Sequence, residues 1–411
     1  MKKKKKDQIE QKDDTQTLNL SHLEDKIKLN FDYEMNNARL EMDNTNIEKS
    51  KILYFDDFRK EYITINYDSF CDKLKPLPKL PTKNQDFGGG TPSRLDAADV
   101  GQIMNAVRET FLLTPDAEIT FEMNPCDVKT EYAAEIAALG INRVSLGMQS
   151  AIPEELKRMG RRHTPEQTAQ AVEALRKAGF RNISLDLIYG YPGQSLEKWK
   201  ISVQSAIDLG VQHISLYALS VEEGSALYRQ LESGKLSEPD EELTVAMYEY
   251  AARTLAEHCF RHYEISNWAV DEAHESRHNK QYWFVWPYYG FGAGAHGWID
   301  HQRIRNEGDI AKYIELVNAS DSRFPAAAEI IPQDRRTEMQ DVMMLGLRML
   351  EEGITEERFR ERFGAEMRDI FSRELRHLER KELVYWSEDG RLCLSLDKVM
   401  VANQAFIEFV D

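Results

Sequence analysis

Clustered cysteine is absent from these 411 residues. Cys71, Cys126, Cys259 and Cys393 stand far apart, and no C-x-x-C spacing occurs. That excludes a disulfide framework and reads as reduced thiols. Long apolar runs are missing as well, and Lys2 to Lys6 are not followed by an apolar segment. Neither membrane insertion nor secretion is expected, and the cytoplasm is the default location. Positive charge is short: the net charge of -17 argues against nucleic acid or an anionic membrane as partner.

The first 86 residues lack glycine altogether. They hold one alanine (Ala38), 15 Lys and 2 Arg, against 10 Lys and 26 Arg in the remainder. Their 17 basic and 17 acidic residues cancel, so the whole net charge lies after Asp86. Met1 to Asn46 is polar and reads as disordered, with a helix near Leu20 to Leu29. Ile52 to Phe55 and Tyr62 to Tyr67 suit short strands, and Pro76, Pro78 and Pro81 suit a linker. No strand is expected over Leu80-Pro-Thr-Lys-Asn-Gln-Asp86. An acquired appendage and a mis-predicted start both explain such a break.

What is present is a strand repeated three times. Gly140-Ile-Asn-Arg-Val-Ser-Leu-Gly147, Gly179-Phe-Arg-Asn-Ile-Ser-Leu-Asp186 and Gly210-Val-Gln-His-Ile-Ser-Leu-Tyr217 share one register. Each glycine follows a helix-like run, where a left-handed cap is needed. The spacing admits a strand, a loop and a helix per unit, so these are successive βα units. Neighbouring strand side chains face opposite ways. Val144, Leu146, Met148, Ile183, Leu185, Leu187, Ile214 and Leu216 make an apolar face. Ser145, Gly147, Gln149, Ser184, Asp186, Ser215 and Tyr217 make a polar one. A closed barrel fills its centre with bulky aliphatics, and a doubly wound sheet is apolar on both faces. The pattern therefore predicts an α/β fold with a partial (βα)6-type barrel around a polar ligand.

Other stretches add loops and helices. Phe87-Gly-Gly-Gly-Thr-Pro-Ser93 lets backbone approach a ligand closely, and no Gly-Lys-Ser/Thr follows to make a P-loop. A helix is expected over 96–109 and another over 128–139. A strand is expected at Glu118 to Glu122, ending at Asn124-Pro125, and one at Tyr263 to Trp268. Thr164 and Ser195 cap helices, the first through a capping box. His274-Glu-Ser-Arg-His278 imitates a zinc-protease motif without an amphipathic helix to carry it. Gly292-Ala-Gly-Ala-His-Gly297 imitates a dinucleotide fingerprint without a βαβ unit. From Pro325 onwards three helices (337–350, 355–363, 365–380) and a hairpin at Asp389-Gly390 outline a winged helix. Glu366, Asp369, Glu374 and Glu379 offset the arginines of its third helix, so a lid or packing module is expected rather than a DNA reader.

Six motifs in order carry a resemblance: Phe-Gly-Gly-Gly-Thr-Pro-Ser, Glu-x-Asn-Pro, Gly-Met-Gln-Ser, Lys-Arg-Met-Gly-Arg, Leu-Asp-Leu-Ile-Tyr-Gly-Tyr-Pro-Gly-Gln and His-Asn-x-x-Tyr-Trp. Residues 87–411 resemble the radical S-adenosylmethionine enzymes of the oxygen-independent coproporphyrinogen III dehydrogenase type, and more closely their heme chaperone branch, the HemW type. The resemblance implies a barrel over 87–325 and a C-terminal module over 326–411, with residues 1–86 unmatched. It implies S-adenosylmethionine contacts at Gly89, Gly90, Thr91, Glu122, Gln149, Arg161, Asp186, Ala218 and His296. It implies heme binding at His278, Tyr282 and Trp283, with heme or porphyrin and a heme-acceptor protein as partners. The family's 4Fe-4S cluster uses C-x-x-x-C-x-x-C, which this sequence lacks. The cluster is therefore not expected and radical activity is in doubt. A radical enzyme acting on a porphyrinogen, with a mis-predicted N-terminus, is a second reading. A catalytically dead remnant is a third.

Overall fold

The structure, a computed structural model, describes residues 38–41, 51–56, 61–66, 81–221, 224–237, 239–320 and 322–410. The helix expected near Leu20 to Leu29, the proline linker up to Pro78, and Cys71 lie outside the described residues. β1 (Ala38–Glu41), β2 (Lys51–Asp56) and β3 (Glu61–Asn66) pair antiparallel in that order. Two of the strands expected in this segment are thus present, and β1 is an addition.

The principal sheet begins with a correction. β4 (Pro81–Phe87), where the sequence offered no strand, pairs in parallel with β5 (Leu112–Met123). Its proline is the first residue of an edge strand, where a missing N–H is tolerated. The barrel unit therefore opens at residue 81 rather than 87. α1 (Ala97–Thr110) joins the two strands, and α2 (Thr130–Ala138) leads from β5 into β6 (Arg143–Gln149). α3 (Pro153–Arg158) and α4 (Pro165–Lys177) lead to β7 (Asn182–Tyr189), and α5 (Leu196–Asp208) to β8 (His213–Ala218). α6 (Ala226–Glu232) and α7 (Glu241–Glu257) precede β9 (Arg261–Glu264) and β10 (Asn267–Ala269). The order across the sheet is β4-β5-β6-β7-β8-β10-β9. β4 to β8 run parallel and the last two strands antiparallel, which makes a curled half-barrel. The single strand expected over Tyr263 to Trp268 is this last hairpin, turning at Ile265-Ser266.

The repeat behaves as its pattern requires. Val144, Leu146, Ile183, Leu185, Ile214 and Leu216 are buried against Met104, Leu175 and Trp199 of the outer helices. Trp199 also donates its indole N–H to the Met247 carbonyl at 2.7 Å, tying α5 to α7. The expected capping box at Thr164 and the Ser195 cap are both formed.

α8 (Arg277–Trp283) lies beyond β10, followed by β11 (His296–Ile299) and β12 (Gln302–Asn306). α9 (Ile310–Ala319) then precedes β13 (Ala327–Pro332), which pairs with β12 and moves the expected boundary at 325 to about residue 333. The C-terminal module holds α10 (Arg335–Gly346), β14 (Ile354–Thr355) and α11 (Glu356–Phe363). Its third helix is broken at Phe371 into α12 (Met367–Ile370) and α13 (Ser372–Arg380). The hairpin β15 (Val384–Trp386) and β16 (Arg391–Leu394) follows as expected, with β14 as an added strand. Its apolar residues run into the same core as the half-barrel. Among the described residues no helix is long and apolar enough to cross a membrane.

Gly140, Gly179 and Gly210 all take positive φ, at 92°, 100° and 62°. A Cβ on Gly179 would meet nothing within 4 Å, so a side chain there costs only backbone strain. Gly179→Ala should lower unfolding stability by about 1–2 kcal/mol, and Gly179→Asn by less. Equal chemical-denaturation midpoints for all three proteins would contradict this.

Candidate functional site

The polar face of the sheet continues one row deeper than the sequence motifs indicate. Residues two apart on a strand share a face, so Asn84 and Asp86, Glu118, Thr120 and Glu122, and Arg143 and Ser145 point inward together. The register aligns Asp86 with Thr120 and Thr120 with Arg143. It aligns Glu122 with Ser145, Ser145 with Ser184, Ser184 with His213, and Asp186 with Ser215. Four carboxylates, Asp86, Glu118, Glu122 and Asp186, thus share the interior with the Arg143 guanidinium.

Arg143, 4% exposed, is the counter-charge. Its Nη1 lies 3.5 Å from Thr120 Oγ1, while Nε is buried without a hydrogen-bond partner. Burial raises the Asp86, Glu122 and Asp186 carboxyls above their ordinary values, and Arg143 pulls each back down. Glu122 is pushed furthest, because Asp86 and Asp186 repel its charge. Asp186 is also relieved by Ser145 Oγ, which donates at 2.9–3.0 Å, and by Arg161.

The glycine motif closes over this pocket. Gly89 N–H donates to Glu122 Oε2 at 3.2 Å. A Cβ on Gly88 would lie 2.7 Å from Asp86 Oδ2 and 3.0 Å from Glu122 Oε1, so a side chain there would displace the two carboxylates. Thr91 starts the turn Pro92–Arg94, and Ser93 Oγ donates to Asp127 Oδ2 at 2.9 Å and accepts from Asn124 N–H at 3.2 Å. The glycine and Asn-Pro motifs are therefore one joined mouth. Ser150 and Gln194 both donate to buried Glu155, which ties the Gly-Met-Gln-Ser and Tyr-Pro-Gly-Gln loops. Gln149, at φ 61°, ends β6 beside this mouth, and Arg161 keeps a buried Nε without a partner. Ala218 is exposed at the end of β8. His296 is exposed on β11, in the separate sheet, and no hydrogen bond of its side chain among the described residues reaches the carboxylates.

A second set of groups holds α8 against this interior. Tyr263 OH accepts from Ser276 N–H at 3.1 Å, so its proton goes to His213 Nε2 at 2.9 Å. Burial drives the His213 pKa well below its ordinary value, which keeps the imidazole neutral. Its Nδ1–H then donates to Ser184 Oγ at 2.7 Å. Glu118 accepts from the N–H groups of Arg277 and His278, both at 3.2 Å, at the positive end of the helix.

The histidine motif is split by this placement. His278 Nε2 lies 2.8 Å from Tyr282 OH and 3.6 Å from Asp86 Oδ2, and Nδ1 lies 3.4 Å from Asn84 Oδ1. His278 and Tyr282 line a cavity of about 390 Å³ along β4. Trp283 lines a different cavity, of about 930 Å³, against the C-terminal module. The expectation that Tyr282 and Trp283 cover one ligand together is thus corrected by the helix geometry. His274 is not on α8 either: it ends a separate turn, with Nδ1 2.6 Å from Asp271 Oδ1.

The described cysteines do not suit an iron–sulfur cluster. Cys126 is in the turn after β5, Cys259 follows α7, and Cys393 is buried in β16. No three thiolates converge among the described residues, and no grouping of three metal-ligating side chains occurs there.

Sequence motifs had pointed to Glu122, Gln149 and Asp186. Asp86, Arg143, His213, Tyr263 and Glu118 were not singled out as site residues, although strand parity relates Glu118 to Glu122 and Arg143 to Gln149.

Carboxyls raised in the folded state bind more protons than in the unfolded chain, so stability falls as pH rises from the ordinary carboxylate range towards their raised values. Each unit of raising corresponds to about 1.4 kcal/mol. Glu122→Gln should therefore flatten the decline in melting temperature between about pH 4 and pH 8, and Arg143→Met should steepen it. Parallel pH profiles for parent and variants would contradict the arrangement.

Known proteins share the sequence pattern and the fold of this chain. The Radical SAM superfamily signature matches residues 55–206, and the HemN C-terminal domain matches residues 333–397. Heme chaperone HemW of Lactococcus lactis is 32% identical over 366 residues, covering 88% of this chain and 94% of the relative. Heme chaperone HemW of Bacillus subtilis is 31% identical over 369 residues, covering 87% and 96%. The solved structure of coproporphyrinogen III oxidase (HemN) from Escherichia coli shares the fold, with a TM-score of 0.69 at 19% identity over 80% of this chain and 78% of that one. On its half-barrel, its C-terminal module and these relatives, the chain belongs to the HemW family of the radical S-adenosylmethionine superfamily.

Proposed function

We propose that this chain is a heme-binding protein of the heme chaperone type, working in the cytoplasm, whose half-barrel binds S-adenosylmethionine without cleaving it. Heme binding rests on the HemW relatives, which match over nearly their whole length. The observation that carries cofactor binding is the uncompensated charge of the interior. Four inward-facing carboxylates, Asp86, Glu118, Glu122 and Asp186, outnumber the guanidinium groups of Arg143 and Arg161, and Asp86, Glu122 and Asp186 are raised in pKa. A cationic ligand would relieve that repulsion, and S-adenosylmethionine brings a sulfonium and an ammonium group. In this reading Gly89, Gly90 and Thr91 supply close backbone, Glu122 and Asp186 supply charge, and Gln149 and Arg161 supply polar contacts at the mouth. Reductive cleavage needs a cluster for which this chain has no cysteine set, so no radical step is assigned. Heme handling is the activity left to it, with a protein acceptor.

Hemin titration of the full chain, followed by the Soret band, tests the heme reading: saturation near one equivalent supports it and featureless addition defeats it. For the cofactor, binding to the cationic sulfonium ligand should tighten as the pH rises above the ordinary carboxylate range and the raised carboxyls lose their protons. S-adenosylhomocysteine, which lacks the sulfonium charge, should gain less over the same range. Calorimetry showing equal, pH-independent affinity for both would remove the charge argument.

A further inference from the structure

The His278 side chain belongs to a run of hydrogen bonds that has only one consistent direction. The run starts at the Pro287 carbonyl, which can only accept. Gln281 Nε2 donates to it at 2.5 Å, so the Gln281 amide turns its oxygen the other way. That oxygen, Oε1, accepts from Asn84 Nδ2 at 2.5 Å. The Asn84 amide is fixed in turn, and its Oδ1 faces His278 Nδ1 at 3.4 Å. An amide oxygen carries no proton, so Nδ1 must supply it.

In a neutral imidazole, a proton on Nδ1 leaves the lone pair on Nε2. The far side of the ring agrees. Nε2 lies 2.8 Å from Tyr282 OH, and burial raises the Tyr282 pKa, so the phenol keeps its proton and donates it. The opposite tautomer has its own attraction, because the Asp86 carboxylate lies 3.6 Å from Nε2 and would favour a proton there. It would also set the bare Nδ1 against the Asn84 oxygen, two acceptors face to face. Asn84 decides between them.

The helix alone cannot make this choice. Asn84 is on β4, 194 residues before His278, and meets the ring because Glu118 holds the N-terminus of α8 against the sheet. Asn84, His278, Gln281 and Tyr282 all line the cavity of about 390 Å³ along β4. Iron takes the lone pair of a neutral imidazole, and the hydrogen bond on the opposite nitrogen sets which nitrogen offers it.

We infer that Asn84, held by Gln281, is the positioning residue that presents His278 Nε2 to heme iron. This role rests on the heme-binding reading above, with His278 as the axial ligand. It adds the ligating nitrogen and a residue, outside the histidine motif, that selects it.

Nitrogen NMR of the full chain without heme, with histidine-selective labelling, reads the tautomer, and His278→Gln identifies the signal. The parent should show a protonated Nδ1 and a bare Nε2. Asn84→Leu, which removes the acceptor, should move the proton to Nε2, and Asn84→Asp, which keeps one, should not. Hemin and iron-free protoporphyrin IX are then titrated into the parent, both Asn84 variants and Gln281→Met. Asn84→Leu should shift the Soret band, weaken hemin about tenfold or more and leave protoporphyrin binding unchanged. Asn84→Asp should bind hemin at least as tightly as the parent. Gln281→Met frees the Asn84 amide to turn and leaves β4 untouched, so it should weaken hemin even where Asn84→Leu fails to fold. If the parent takes up no hemin, the heme-binding reading itself fails. If the parent binds hemin but carries its His278 proton on Nε2, or if Asn84→Leu and Gln281→Met both match it, heme binding stands and the role of Asn84 is wrong.

Discussion

One buried guanidinium governs the interior of this half-barrel. Arg143 reaches the protein's centre from the first strand of the repeat region, and Asp86, Glu122 and Asp186 each feel its charge. Taking ionisable groups out of water is costly, and the inward carboxylates outnumber Arg143 and Arg161. The raised carboxyls record that shortfall. An interior of this kind cannot close into an aliphatic-filled barrel, because the charges would then lose the ligand or solvent they depend on. The open side of the half-barrel follows from what its strands carry.

The outer face was legible because it obeys simple periodicities. Three strands in one register, each preceded by a glycine, specify βα units and leave an apolar face for helices, and the core residues follow. The inner face was legible only where motif and parity coincided. Arg143 and His213 occupy the positions of the repeat that vary between copies, and variation hid them. Counting two residues back from Ser145 and Ser215 would have placed both on the inner face. β4 was missed for a different reason. Asn84 and Asp86 face inward to the polar cavity while Phe87 packs in the core, so the strand is made by pairing with β5 rather than by propensity.

The histidine motif shows how a sequence constellation divides when it meets a helix. Successive residues turn by roughly 100°, so positions four apart share a face and positions five apart do not. His278 and Tyr282 therefore touch, while Trp283 is carried to the next cavity. Nothing in the spacing revealed that Glu118, some 160 residues upstream, holds the helix N-terminus and so sets which way each face looks. His274 shows the same dependence. Ser276 starts a new helix after it, and the regular spacing of the two histidines has no counterpart in space.

α8 is thus the wall between two cavities that share only Trp286 and Pro287 of their linings. Its N-terminus is fixed from the half-barrel by Glu118 and by the Ser184–His213–Tyr263 hydrogen bonds. Beyond its C-terminal end, Phe284 meets Arg358 and Arg362 of the C-terminal module. The charged interior of the half-barrel and the aromatic-walled cavity therefore lie on opposite sides of one short helix.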